Sequence, residues 1–66
     1  MDITKGIKVR HVESDGTENL CKVVEVGTSP WVTVRWLEAR WNIRSDSLLN
    51  RKGTTSTVSM NSLRFV

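Results

Sequence analysis

Residues 20–36 read Leu20-Cys21-Lys22-Val23-Val24-Glu25-Val26-Gly27-Thr28-Ser29-Pro30-Trp31-Val32-Thr33-Val34-Arg35-Trp36. Successive side chains of a strand point to opposite faces, so from Trp31 onward Val32, Val34 and Trp36 share one face and Trp31, Thr33 and Arg35 the other. Leu20 to Val26 is almost continuously apolar, which predicts a second strand buried on both faces in the middle of a sheet. Gly27-Thr28-Ser29-Pro30 between them is a tight connection, so the two strands are expected to form a hairpin.

Working toward the N-terminus, Gly6 opens another alternating run, Ile7-Lys8-Val9-Arg10-His11-Val12. The loop that follows, Glu13 to Asn19, carries the turn signal Asp15-Gly16. Toward the C-terminus the pattern is less decisive. Ala39 to Arg44 alternates as a strand with Trp41 and Ile43 inward and Arg40, Asn42 and Arg44 outward. Trp36, Ala39 and Ile43 also stand at helical spacing; the strand is the preferred reading. Ser45-Asp46-Ser47-Leu48-Leu49 predicts one helical turn with a Ser or Asp cap. Asn50 to Thr57 reads as an exposed loop, and Val58–Met60 with Leu63–Val66 as a closing strand bent at Asn61-Ser62.

Composition agrees with strands. Nine Val, three Ile and seven Thr stand against a single Ala and no Gln, a supply rich in β-branched residues and poor in the best helix formers. At 66 residues the chain predicts one domain, residues 1–66, with one modest core, because so short a chain buries only about 60% of its unfolded surface.

The order of these elements resembles that of the small SH3-like barrels, particularly the Tudor and KOW-type modules. The resemblance rests on Gly6-Ile7-Lys8-Val9-Arg10, on Cys21-Lys22-Val23-Val24-Glu25-Val26, on Trp31-Val32-Thr33-Val34-Arg35-Trp36, and on a closing segment from Val58 through Phe65. It implies an all-β, five-stranded SH3-like barrel with one short helical turn, in which the 50–57 loop and the 45–49 turn are departures from the compact pattern. Modules of this kind bind nucleic acid, ribosomal or polymerase surfaces, or methylated side chains, so the fold does not choose among functions. A methyl-lysine cage needs several aromatic rings, and no Tyr, one Phe and three Trp supply it poorly.

Charge is unevenly placed. Residues 1–33 carry four basic and five acidic side chains, and residues 34–66 carry six basic and two acidic, so the overall +3 is concentrated in the second half. Five of those six are Arg, whose planar guanidinium pairs bidentately with phosphate and stacks on rings. The candidate contact residues are therefore Arg35, Arg40, Asn42, Arg44, Arg51 and Lys52, with Trp31, beside Pro30 in a turn, as a stacking platform. Trp36 and Trp41 read as core. Three uses fit such a row: a solvated sheet face that blunts an edge, a nucleic-acid contact, or a contact with an acidic protein partner. The expectation is a non-catalytic binding module associated with nucleic acid or ribonucleoprotein, the alternative a small adaptor or inhibitor docking on a folded protein.

Several classes are expected to be absent. His11 and Cys21 lack the orienting group and oxyanion site that nucleophilic catalysis needs. One Cys and one His are too few for a structural zinc site or an internal disulfide, so no cofactor or metal is expected. No apolar run approaches the ~20 residues a bilayer requires, and the first residues do not read as a signal segment. The reading is a soluble cytoplasmic protein with no membrane partner, for which a homodimer through an exposed edge is compatible.

Overall fold

The computed structural model describes residues 3–66. Seven strands follow in order: β1 (Lys8–Val12), β2 (Glu18–Val26), β3 (Trp31–Trp36), β4 (Arg40–Asn42), β5 (Ser47–Asn50), β6 (Thr55–Ser59) and β7 (Leu63–Phe65), with a 3-10 turn at Met60–Ser62 between the last two. Five make one antiparallel sheet in the order β6-β3-β2-β1-β7, and β4 and β5 form a separate two-stranded hairpin. The chain is thus all-β. No helix among the described residues is long and apolar enough to cross a membrane.

The expected β2–β3 hairpin is present, with Cys21 opposite Trp36 and Val26 opposite Val32, and a bulge between Val23 and Glu25. Its connection is closed by Gly27 N–H donating to Trp31 O at 3.1 Å and Trp31 N–H to Thr28 O at 2.9 Å. The β1–β2 loop turns at Asp15-Gly16 as read. Gly16 sits at φ +91°, which only glycine adopts freely, and Asp15 Oδ1 accepts from Thr17 N–H at 2.9 Å.

The core is small: Val9, Cys21, Val23, Val32, Val34, Trp36, Val58 and Leu63 are buried, with Ile3, Ile7 and Met60 packed against them. Alternation therefore holds in β3. In β2 the expectation of burial on both faces does not hold, since Val24 is half-buried and Val26 exposed. The sheet is a single layer, and only the Cys21 and Val23 side of β2 faces the core.

Consecutive strands β6 and β7 lie at opposite edges of the sheet, joined only by the Met60–Ser62 turn. Four strand spacings in a flat sheet amount to about 19 Å. The chain from Ser59 to Leu63 spans at most about 14 Å even when extended. The sheet must therefore coil until its edges approach, enclosing the core on its concave side. It remains open, because β6 pairs with β3 and β7 with β1. Met60 N–H donates to Pro30 O at 2.8 Å, which ties this crossing turn to the β2–β3 connection.

The C-terminal half departs most from expectation. Residues 43–46 form a hairpin turn and Ser47 begins β5, where a helical turn was predicted. Asn42 Oδ1 accepts from Ser45 N–H at 3.2 Å and Asp46 adopts φ +51°, so the small polar residues serve a turn between strands and not a helix cap. The predicted 50–57 loop shrinks to residues 51–54 between β5 and β6. Trp41 and Ile43, read as inward, are exposed. The alternation in β4 is real, but the side that faces the sheet is the polar one.

Candidate functional site

Two surfaces and one buried cluster hold the residues singled out by sequence. The cluster surrounds Trp36, which is completely buried. Its indole N–H donates to Ser56 Oγ on β6 at 3.0 Å, and His11 meets the ring edge-on at 5.4 Å between centroids. Arg40 from β4 lays its guanidinium over the same ring, 4.9 Å from the centroid. Its Nε donates to Glu13 Oε1 at 2.6 Å and its Nη1 to Asn50 Oδ1 at 3.2 Å. Arg40 is therefore the bolt that fastens the β4–β5 hairpin to the sheet, helped by Trp41 N–H donating to Asn19 Oδ1 at 3.4 Å. The outward row of Arg40, Asn42 and Arg44 does not form, since Arg40 and Asn42 turn their side chains to the sheet and the turn.

Electrostatics follow from this packing. The Arg40 hydrogen bond holds the Glu13 carboxyl below its usual value. Burial pushes the His11 imidazole below its ordinary value, reinforced by the Arg40 charge and opposed by Glu13, whose Oε1 lies 3.3 Å from His11 Nδ1. Burial pushes the Cys21 thiol up to about 11, which leaves it protonated and unreactive at neutral pH. Among the described residues no group of three or more His, Cys, Asp or Glu side chains is placed to hold a metal ion.

The convex face of the sheet is where charge gathers. Lys8 on β1 stands opposite Lys22 on β2, and Lys22 stands opposite Arg35 on β3. Three cations thus form one row across three adjacent strands, all exposed. Arg10 and Arg64 make a second like-charged cross-strand pair on β1 and β7. Among the described residues none of these five side chains is in an ion pair. Arg64 donates instead to the carbonyls of Asn61 and Leu63, and Arg10 shares a shallow groove with Glu18, Leu20 and Glu38. Arg35 faces Thr55 on β6, and the Arg51-Lys52-Gly53 turn lies just before that strand, so its two cations follow at the same end of the sheet. Trp31 projects from β3 on the Arg35 side, 52% exposed, about 13 Å further along the strand. Arg44 is exposed in the β4–β5 turn, beside Asp15 and Thr17.

Of the sequence-selected residues, Arg35, Trp31, Arg51 and Lys52 lie on or beside this face, while Arg40, Asn42 and Arg44 belong to the hairpin. Lys8, Lys22, Arg10 and Arg64 were missed. Each sits at an outward position of an alternating strand, which the sequence shows, but only the register brings them side by side. Compared with known proteins, the chain matches no family model, no curated protein and no solved structure.

Proposed function

We propose that the chain is a non-catalytic binding module, built as an SH3-like barrel, that engages nucleic acid through the convex face of its sheet. The coiled five-stranded sheet with its edges bridged by one short 3-10 turn supports the barrel reading. The observation that carries the function is the row Lys8, Lys22 and Arg35. Like charges directly opposite on a sheet destabilise it, and among the described residues no carboxylate is ion-paired with this row, Glu25 being the exposed acid beside it on β2. A polyanion supplies the missing charge.

Phosphates of a single strand would lie along the row, with Arg51 and Lys52 extending it at one end and Trp31 offering an exposed ring to a base. Register alone reads no sequence, so the contact is expected to be tolerant of base identity. A fluorescence-anisotropy titration of labelled single- and double-stranded oligonucleotides tests the proposal. Wild type binds at low salt, and Lys22→Glu/Arg35→Glu binds at least tenfold more weakly. Equal affinity of the two proteins would refute the assignment of this face.

A further inference from the structure

Strands β6 and β7 are the two edges of the sheet, and they are finished differently. On the three-residue β7, Leu63 N–H donates to Met60 O and Leu63 O accepts from Arg64 Nη1 at 2.9 Å, so the strand's first backbone groups are already used. On the other edge, Trp36 N–H donates to Thr54 O at 2.9 Å and Met60 N–H to Pro30 O at 2.8 Å. Both bonds lie on the register that sets Trp31 opposite Ser59, and hydrogen-bonded pairs alternate along an antiparallel ladder. Ser56 and Val58 therefore bond to β3, while the main-chain groups of Thr55 and Thr57 and the Ser59 N–H point off the edge. Among the described residues no bond outside the ladder engages the main chain of Thr55 or Thr57. Edge strands are commonly blunted by a charge, a proline or a bulge, and Thr55-Ser56-Thr57-Val58-Ser59 has none of these.

The strand's own sequence names what pairs with it. Turned about a two-fold axis at Thr57, it is its own complement: Thr57 meets Thr57 of the partner subunit, Thr55 meets Ser59 of the partner subunit, and Ser56 meets Val58 of the partner subunit. Thr–Thr and Thr–Ser cross-strand pairs are favourable, and no like charges stand opposite each other. The two copies of Arg35 would be three strands and four residues apart, about 19 Å, against a screening length of about 10 Å. Arg51 and Lys52 at one end of the edge would approach the end that carries Arg64 of the partner subunit, so added salt should tighten the association. We infer that two copies join β6 to β6 in one continuous sheet. The row Lys8, Lys22 and Arg35 reaches Thr55 within one copy, and across this interface it runs on through the partner's Ser59 to the partner's Trp31. Each row of cations then ends on an exposed indole about 14 Å from Arg35. That last step rests on the nucleic-acid reading above; the interface does not.

Sedimentation velocity of the full chain over a concentration series, without oligonucleotide, tests the interface. Wild type should pass from 7.5 kDa to twice that mass, and do so more readily at high salt. Thr57→Pro removes an N–H that β3 does not use, and should stay monomeric with the circular dichroism spectrum of wild type. Thr57→Lys and Thr57→Glu set like charges against each other across the axis, so each alone should dimerise at least tenfold more weakly and an equimolar mixture should dimerise again. The mixture decides the matter even where the proline variant fails to fold. A wild type that stays at 7.5 kDa up to about 1 mM, a mass beyond two copies, or a dimer that all three variants leave unchanged would each overturn the inference. In oligonucleotide titrations Thr57→Pro should bind at least threefold more weakly than wild type, and equal affinity would contradict the shared row. A wild type that dimerises but binds no oligonucleotide would refute the function proposed above and leave the interface standing.

Discussion

Trp36 is where the chain concentrates its stability. It is the largest fully buried side chain, and His11, Arg40 and Ser56 each engage its ring or its N–H from a different strand. Replacing so large a core residue by Ala costs about 3–5 kcal/mol in other proteins, a large share of what a domain of this size has. Glu13 is the more informative position. Glu13→Gln leaves its shape but weakens the charged hydrogen bond from Arg40, a change of about 1–2 kcal/mol, and each kcal/mol lowers the melting temperature by about 4–8 °C in domains of this size. Thermal denaturation followed by circular dichroism reads this directly. Acid should act through the same cluster. His11 and Glu13 both titrate lower in the folded chain than their ordinary values of 6.5 and 4.5, so the unfolded chain takes up their protons first. Stability is full near neutrality, begins to fall below about pH 6.5 as His11 protonates, and falls again below about pH 4.5 as Glu13 does. Melting temperatures from about pH 8 to about pH 2 should show both phases, and His11→Gln should remove the upper one alone.

Among the elements, β3 is the one whose sequence pattern and structure coincide most fully, because it lies one layer deep between β2 and β6 and its two faces meet opposite environments. The hairpin misled for a physical reason. Trp41 and Ile43 alternate with Arg40, Asn42 and Arg44 as an inward-facing strand would, but periodicity says which residues share a face and not which face meets the core. Arg40 decided the matter, since a guanidinium that stacks on Trp36 and pairs with Glu13 turns the polar side inward. The basic row was hidden in a different way: its members come from three strands, and their adjacency exists only in the register. That register yields a prediction of opposite sign for stability and binding. Lys22→Glu converts two repulsive cross-strand pairs into attractive ones and should stabilise the fold by about 0.5 kcal/mol. The same substitution should weaken oligonucleotide binding. A chemical-denaturation midpoint that moves down instead of up would mean the row is not electrostatically strained.

At the scale of the whole molecule, a three-residue turn that joins the two sheet edges forces one face of the sheet inward around a small core and leaves the other convex and free. The charge of +3 is too small to mark a nucleic-acid binder by itself. What matters is that the fold gathers Lys8, Lys22 and Arg35 from distant parts of the sequence on that convex face, where they outnumber Glu25, the exposed acid that follows Lys22 on β2 opposite Thr33. The salt dependence of oligonucleotide affinity tests this most directly. Each phosphate neutralised on a single strand contributes about −0.7 to the slope of log affinity against log salt. Three phosphates on the row and two on Arg51 and Lys52 therefore predict a slope of about −3.5 for wild type, reduced to about −2 in Lys22→Glu/Arg35→Glu. A flat salt dependence, or a slope that the double variant leaves unchanged, would contradict the account.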